Sequence, residues 1–427
     1  MDRKEMLIEN LNAGDVNVRL ESLRELKKLV DSGAIEKPVT GNDVNNHIHT
    51  IYSFSPYSPA KAVWMAYQAG LKTAGIIDHD SISGAREFIE AGKIIGMMTT
   101  IGVECRVKMS STPLNGKRIN NTDQDSIAYT TVHGIPHTQI DIVKEFFKPF
   151  SAFRNQRDRK MVDNINTVMH PYGISLDFEK DVVPLSKTAE GGSITERHIL
   201  FALSRKMISK LGKGAAIVNF LENNMKITIS SKIRAMLEDV GNEVYDYDLL
   251  GILKSDLIEK IYIPATDECP DVREIVAFSK KIGAISAYPY LGDVGDSVTG
   301  DKKTQKFEDG YLDELFSVIR ELGYNAVTYM PSRNTMAQLV RLKKLCEDNK
   351  FFQISGEDIN SPRQSFICMA QRDPLFSNLY DATLALIGHE IAATKNLEDA
   401  MFSDKTVKNF PDLDLRIEHY KEIAEKS

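Results

Sequence analysis

Cysteine is scarce in this chain. Its 427 residues contain four, Cys105, Cys269, Cys346 and Cys368, scattered with no C-x-x-C pair. That excludes a disulfide framework and a sulfur-based zinc site, and it suits a reducing, cytoplasmic setting. Long apolar runs are missing too. None approaches the ~18 residues that span a bilayer, and Met1-Asp2-Arg3-Lys4 leads into Glu5 rather than into the apolar core of a secretory signal. A soluble chain with no membrane partner is therefore expected. Neither G-x-G-x-x-G nor G-x-x-x-x-G-K-[ST] follows the first strand-like segment, which removes the usual signatures of dinucleotide and P-loop sites. Net positive charge is absent as well, with 53 Lys plus Arg against 60 Asp plus Glu and a formal charge of -7. This argues against duplex nucleic acid as a partner, while leaving room for a local basic groove around a small phosphorylated substrate or a short oligonucleotide.

The apolar and charged fractions, 42% and 26%, are those of an ordinary globular chain. Its length allows one large α/β domain with insertions, or two to three smaller domains. Histidine is the unevenly placed residue. Of nine in the chain, five fall between positions 47 and 137: His47, His49, His79, His133 and His137.

Residues 1–40 read as a helical leader, because Val16, Leu20, Leu23 and Leu26 repeat at helical spacing between a capping Asp15 and a terminating Gly33. Strands are predicted at 44–50, 73–77, 98–104, 130–135, 283–288, 325–330 and 351–357. Helical patterns separate the first three, and others precede each of the last three. The long stretch between the fourth and fifth strands is rich in helix-forming sequence and too long for a loop, which predicts an inserted subdomain. Alternating strands and helices imply a largely parallel sheet, open or closed into a barrel.

In His47-Ile48-His49, both imidazoles project to one face of a strand, roughly 6.6 Å apart along it. The next strand delivers Asp78-His79-Asp80 and the one after delivers Glu104, both at carboxyl ends, where β/α barrels place catalytic groups. Nitrogen and oxygen ligands without sulfur suit a divalent ion, Mn, Zn, Fe or Mg, and a shared Glu can bridge two ions. One H-x-H is a weak signal, and recurrence at the spacing of successive β/α units is what carries the metal reading. His137 reads as the end of a loop after Pro136, His389 as a packing residue on an apolar helix, and Cys105 as a packing residue facing away from Glu104. The basic run Arg154, Arg157, Arg159 and Lys160 fits either a phosphate contact or a solvated helix face.

The segments Asn46-His47-Ile48-His49-Thr50, SPAKAVWMAYQAGLKTAGIIDHDSISGAREF and IGVEC resemble successive motifs of the polymerase and histidinol phosphatase (PHP) family. The resemblance continues through VHGI at His133, GGSITERHILFAL at His198, AISAYPYLGD at Tyr288 and ISGEDINSP at Asp358. It implies a distorted seven-stranded, TIM-like β/α barrel with a helical insertion. The expected divisions are a leader over 1–40, barrel over 41–137 and 261–373, the insertion over 138–260 and a mostly helical tail over 374–427. The GGS segment, Arg197-His198 and FRNQRDRKM are most similar to the branch that dephosphorylates nucleoside 3′,5′-bisphosphates and trims short RNA from its 5′ end.

By that resemblance, one ion would take His47, His49, Glu104 and Asp358. A second would take Glu104, His133 and the position now Tyr288, and a third would take His79 with the positions now Phe54 and Asn360. Three usual ligands are thus replaced, so one or two ions are expected. The implied function is a divergent metal-dependent phosphoesterase acting on a nucleotide or another small phosphorylated metabolite. Asp80 or His79 would serve as acid/base, His198 would contact metal or substrate, and Arg197 and Arg157 would contact phosphate. The rival expectation is a catalytically weakened or inactive protein of the same fold that binds a phosphorylated ligand or a protein partner.

Overall fold

The computed structural model describes residues 2–294 and 305–427. Each of the seven segments read as strands forms one: β1 (Val44–Ile48), β2 (Thr73–His79), β3 (Met98–Lys108), β4 (Ile127–His133), β5 (Ile285–Pro289), β6 (Ala326–Tyr329) and β7 (Phe352–Ser355). They lie side by side in chain order. The segment after β7 then returns beside β1, where the amide of His49 donates to Ile359 O at 2.9 Å and that of Ile359 to His47 O at 3.1 Å. The sheet therefore becomes a nearly closed barrel. Gly356 makes the seam possible, since a Cβ there would stand 2.7 Å from the His47 backbone nitrogen. Asn46 Nδ2 stitches the same seam by donating to Ser355 O at 2.8 Å.

One strand departs from the expected direction. β4 runs antiparallel to both β3 and β5, whereas the other neighbouring pairs are parallel. The link from β3 to β4 carries no helix, and only a parallel neighbour needs a crossover that long. Reversal also carries β3 on to Lys108, beyond the expected end at 104, because β4 pairs with it up to that residue.

Helices α1 (Arg3–Asn10) and α2 (Val16–Asp31) lie outside α3 (Pro59–Gln68) and α4 (Ala85–Ile95), and α2 is fixed to α4 by a buried Arg19–Glu87 ion pair. α3 starts at a Ser58 cap, with Pro59 in its first turn. Between β4 and β5 the chain is helical: α5 (Ile140–Met169), α6 (Glu196–Leu211), α7 (Ala215–Asn219), α8 (Ser231–Glu238) and α9 (Tyr245–Ile261). These helices share a hydrophobic cluster of their own, which reaches the barrel at Phe54. α10 (Val272–Lys281), α11 (Leu312–Leu322) and α12 (Met336–Asp348) flank the later strands, and α13 (Asn378–Lys395), α14 (Asp404–Asn409) and α15 (Leu413–Glu425) end the chain. None of the described helices is long and apolar enough to cross a membrane.

The two faces of the sheet have separate partners. Outward residues such as Ile101, Val103, Val132, Tyr288 and Val327 join the helices around the barrel. Inward Ile285, Ala287, Ala326, Phe352 and Ile354 pack on Ala382, Ala385 and Leu386 of α13. α13 thus plugs one end of the barrel, which is why it is apolar nearly all round. Its few polar groups are matched to the strands: Thr383 accepts from Asn46, and Glu390 accepts from the Thr100 hydroxyl and the Ile101 amide. His389 packs as expected, bonded to Gly134 O and to the Met401 amide.

α13 and α15 cross so closely at Gly388 that a Cβ there would lie 1.8 Å from Tyr420 O. In an open helix, Gly to Ala adds about 1 kcal/mol of stability. Here the sign reverses: Gly388→Ala is expected to lose about 3 kcal/mol through overpacking, read as a lower urea midpoint. An unchanged or raised midpoint would contradict the α13–α15 packing.

Candidate metal centre

β1 alternation places His47 and His49 on the inner face, with ring centroids 5.1 Å apart. Glu104 arrives from β3 and His79 from the end of β2, its register partner. Glu104 Oε2 lies 3.6 Å from His47 Nε2, 3.7 Å from His49 Nε2 and 3.1 Å from His79 Nδ1. Asp358, from the seam segment, brings Oδ1 to 3.2 Å from His49 Nε2. One ligand atom each from His47, His49 and Glu104 lies within 4.8 Å of the others. His49 Nε2 is buried and makes no hydrogen bond, which in so polar a spot marks an atom oriented for another partner. The donor set fits a divalent ion, and the centre opens to solvent past Asp358, whose side chain is 38% exposed.

Polar neighbours hold these side chains in place. Asp78 is buried at the barrel rim and accepts from the Thr50 amide at 2.7 Å, the Thr50 hydroxyl at 2.6 Å and Ser53 Oγ at 2.6 Å. Ser53 Oγ is in turn 3.3 Å from His49 Nδ1, so Asp78 orients His49 through one hydroxyl and leaves Nε2 aimed inward. Asp80, with φ at 50°, is held by Arg154 at 2.6 Å, both side chains being buried. Behind it, Arg106 pairs with Glu196 at 3.1 Å and Glu268 at 2.7 Å, while Arg157 meets the same two carboxylates. This ionic cluster joins α5 and α6 to β3. Arg154 and Arg157 therefore lie on a buried face, whereas Arg159 is exposed.

Charges decide the protonation states. Burial alone would raise the Glu104 carboxyl, but His79, His47 and His49 outweigh it and pull it down to about 2. Burial likewise opposes Asp358 ionisation, and His49, His47 and Arg197 overcome it, holding that carboxyl well below its usual range. Burial lowers His79 to about 3, with His49 and Arg154 adding to the effect and Glu104 opposing it. His133 is also lowered to about 3, by burial and by His47. His79 and His133 are therefore neutral, whereas at His49 burial is outweighed by Asp358, which raises the imidazole, so a cation binding there would displace a proton from that ring.

The remaining expected residues are spread around this core. His133 lies opposite Gly102, one inward position below Glu104, with Nε2 buried and unpartnered. His198 is buried at the start of α6, where its Nδ1 accepts from the Thr195 amide at 3.0 Å and its ring stands edge-on to Phe54 at 5.0 Å. Phe54 also touches Phe201 and Tyr247. Arg197 carries its charge toward Asp358, whereas Arg157 is taken up by the ionic cluster. Asn360 donates to Asp358 Oδ1 at 2.6 Å. Tyr288 is turned outward, its hydroxyl donating to Glu308 Oε1 at 3.3 Å. His137 bonds Glu390 and stands away from the centre. Sequence reasoning named Asp78 only within Asp78-His79-Asp80, without its link to His49, and missed Ser53 and Arg106, although the alternation Glu104-x-Arg106 on one strand face signals the last. It also missed Lys254.

No family model matches the chain, and no curated protein matches it. Solved structures do, at the level of fold. One is a protein from Bifidobacterium adolescentis assigned as a metal-dependent phosphoesterase, at 20% identity and a TM-score of 0.49, covering 80% of this chain and 97% of that one. Another is an amidohydrolase from Chromobacterium violaceum, solved with sulfate and without metal, at 13% identity and a TM-score of 0.50, covering 76% of this chain and 89% of that one. The second of these is similar to the chain in overall fold.

At the rim, Glu308 is fully buried and accepts from Leu291 N at 2.8 Å. Burial raises its carboxyl from 4.5 to about 7. A carboxyl raised on folding favours the folded state below its unfolded value and loses that advantage as pH rises through its folded value. Replacement by an amide, which cannot ionise, removes this pH dependence. The stability of Glu308→Gln relative to wild type is therefore expected to improve by about 3 kcal/mol between pH 4.5 and pH 8, because each pH step between the unfolded and folded values costs the wild type ~1.4 kcal/mol. Parallel pH profiles in urea denaturation would contradict the burial of this carboxyl.

Proposed function

We propose that the chain is a metal-dependent phosphoesterase of the PHP type, hydrolysing a phosphate ester of a nucleotide or another small phosphorylated metabolite. One observation carries this reading: the His47–His49–Glu104 cluster, with Asp358 beside it, lies within the electrostatic reach of a cation, Arg197, that also acts on Lys254. Arg197 on α6 and Lys254 on α9 form no ion pair among the described residues. Arg197 acts on both Lys254 and Asp358, and its repulsion together with burial lowers Lys254 to about 8. Lys254 lies two turns beyond Tyr247, which packs on Phe54 at the barrel mouth, so both project from one face of α9. Arg363 of the seam segment pairs with Asp248 at 2.6 Å and fixes α9 over Asp358. Two like charges held together beside a metal centre fit a phosphoryl group.

His47, His49, Glu104 and Asp358 would hold the ion, which when bound would polarise a phosphoryl oxygen and lower a water's pKa toward ~7. The chain's own groups do the rest. Arg197 and Lys254 neutralise the phosphoryl oxygens and orient the ester. His79, neutral and a quarter exposed beside Glu104, faces the open side, where its ring can orient a water. Asp80, engaged by Arg154, fixes the turn that carries His79. His198 and Phe54 form an aromatic wall that keeps the insertion seated over the mouth.

The test is hydrolysis of p-nitrophenyl phosphate, nucleoside 3′,5′-bisphosphates and short RNA with added Mn2+. Turnover is expected on at least one. His49→Ala should lower kcat/KM by more than about 100-fold, exceeding the loss of an outer partner, and Arg197→Met and Lys254→Met should act mainly on KM. Bound metal with no turnover on any of these esters would favour a ligand-binding protein instead.

A further inference from the structure

The two halves of the barrel differ in what they present to its interior. β1 to β4 contribute His47, His49, His79, Glu104 and His133. In β5 to β7, register pairing places Ala287 opposite Thr131, Ala326 opposite Ala287 and Phe352 opposite Ala326. Residues paired across strands share a face, so the inward positions of this half are Ile285, Ala287, Ala326, Phe352 and Ile354, an apolar surface sealed by α13. Tyr288 falls on the other face, packed among the surrounding helices with its hydroxyl on Glu308. It cannot reach Glu104 without breaking the strand register.

A second ion beside Glu104 would need three or more protein donors, as such sites ordinarily have. Glu104 and His133 are two; of the other inward polar groups on β4, Thr131 gives its hydroxyl to Ala287 O at 3.2 Å, and Tyr129 offers only a phenol, its ring 5.9 Å from that of His79. The positions flanking His79 are no better supplied. Phe54 has no lone pair and belongs to an aromatic cluster, and Asn360, whose Nδ2 donates to Asp358 Oδ1, offers only a neutral amide oxygen, buried and unpartnered, in place of a carboxylate or imidazole.

Resting on the metal-dependent reading above, we infer that this is a single-ion centre in which Asn360 is a positioning residue for Asp358. Donors that a second or third ion would need have other structural tasks: Phe54 seats the insertion, Tyr288 anchors Glu308 at the rim and Asn360 steadies a ligand. The site is built around one ion.

The test is isothermal titration of the metal-stripped full chain with MnCl2, with circular dichroism confirming that each variant is folded. Wild type should bind one ion per chain. Tyr288→Phe should also bind one, with affinity changed less than about twofold, because the phenol is not a ligand. Asn360→Leu should keep a stoichiometry of one and bind about tenfold more weakly, the loss typical of an outer partner of a ligand. Two ions in wild type, or a lower stoichiometry in Tyr288→Phe, would overturn the single-ion centre while leaving a metal site in place. No binding by wild type would overturn the metal-dependent reading itself, and with it this inference. An Asn360→Leu affinity equal to wild type would overturn the positioning role.

Discussion

The barrel mouth depends on one buried carboxylate. Glu104 sits among His47, His49 and His79, whose rings outweigh burial and hold its carboxyl down. A charge in that position is costly unless matched. The two strands that supply the rings, β1 and β2, and the β3 strand that carries Glu104 are therefore fixed in register, and the loops that follow them inherit that order. Asp78 extends the constraint outward by holding Thr50 and Ser53, hence His49. Asp358 extends it across the seam, which closes the barrel where the ligands meet.

Around this charge the fold is divided by function. The half built from β1 to β4 carries polar inward positions. The half built from β5 to β7 is filled by apolar side chains and α13. The helices between β4 and β5 stand over the open end, joined to the barrel by the Arg106–Glu268–Arg157–Glu196 cluster and by the Phe54 contacts. Buried ion pairs of this kind add little net stability but penalise misplacement heavily. That suits their position, since the cluster decides where α6 and α9 carry Arg197 and Lys254.

Much of the fold is legible in the sequence because its signals are local. Seven apolar runs bounded by helical patterns are the seven strands, and H-x-H with a strand-terminal Glu points to the three side chains that the fold brings together, His47, His49 and Glu104. What is not legible is relational. The reversal of β4 follows from a link without a helix, which a count of strands does not weigh. The face of Tyr288 depends on pairing register: the motif around it suggests a place at the metal, and pairing turns it outward. A solvated helix face is the natural reading of Arg154 and Arg157, because their carboxylate partners Asp80, Glu196 and Glu268 are distant in the chain. Lys254 lacks any local motif, and its place beside Arg197 arises only from the packing of α9 on α6.

A single ion held by four side chains is most directly tested by anomalous diffraction from crystals of the full chain soaked in MnCl2. One peak per chain is predicted, within about 2.3 Å of His47, His49, Glu104 and Asp358 ligand atoms. A peak bonded to other residues, or no peak between these four, would contradict the metal centre.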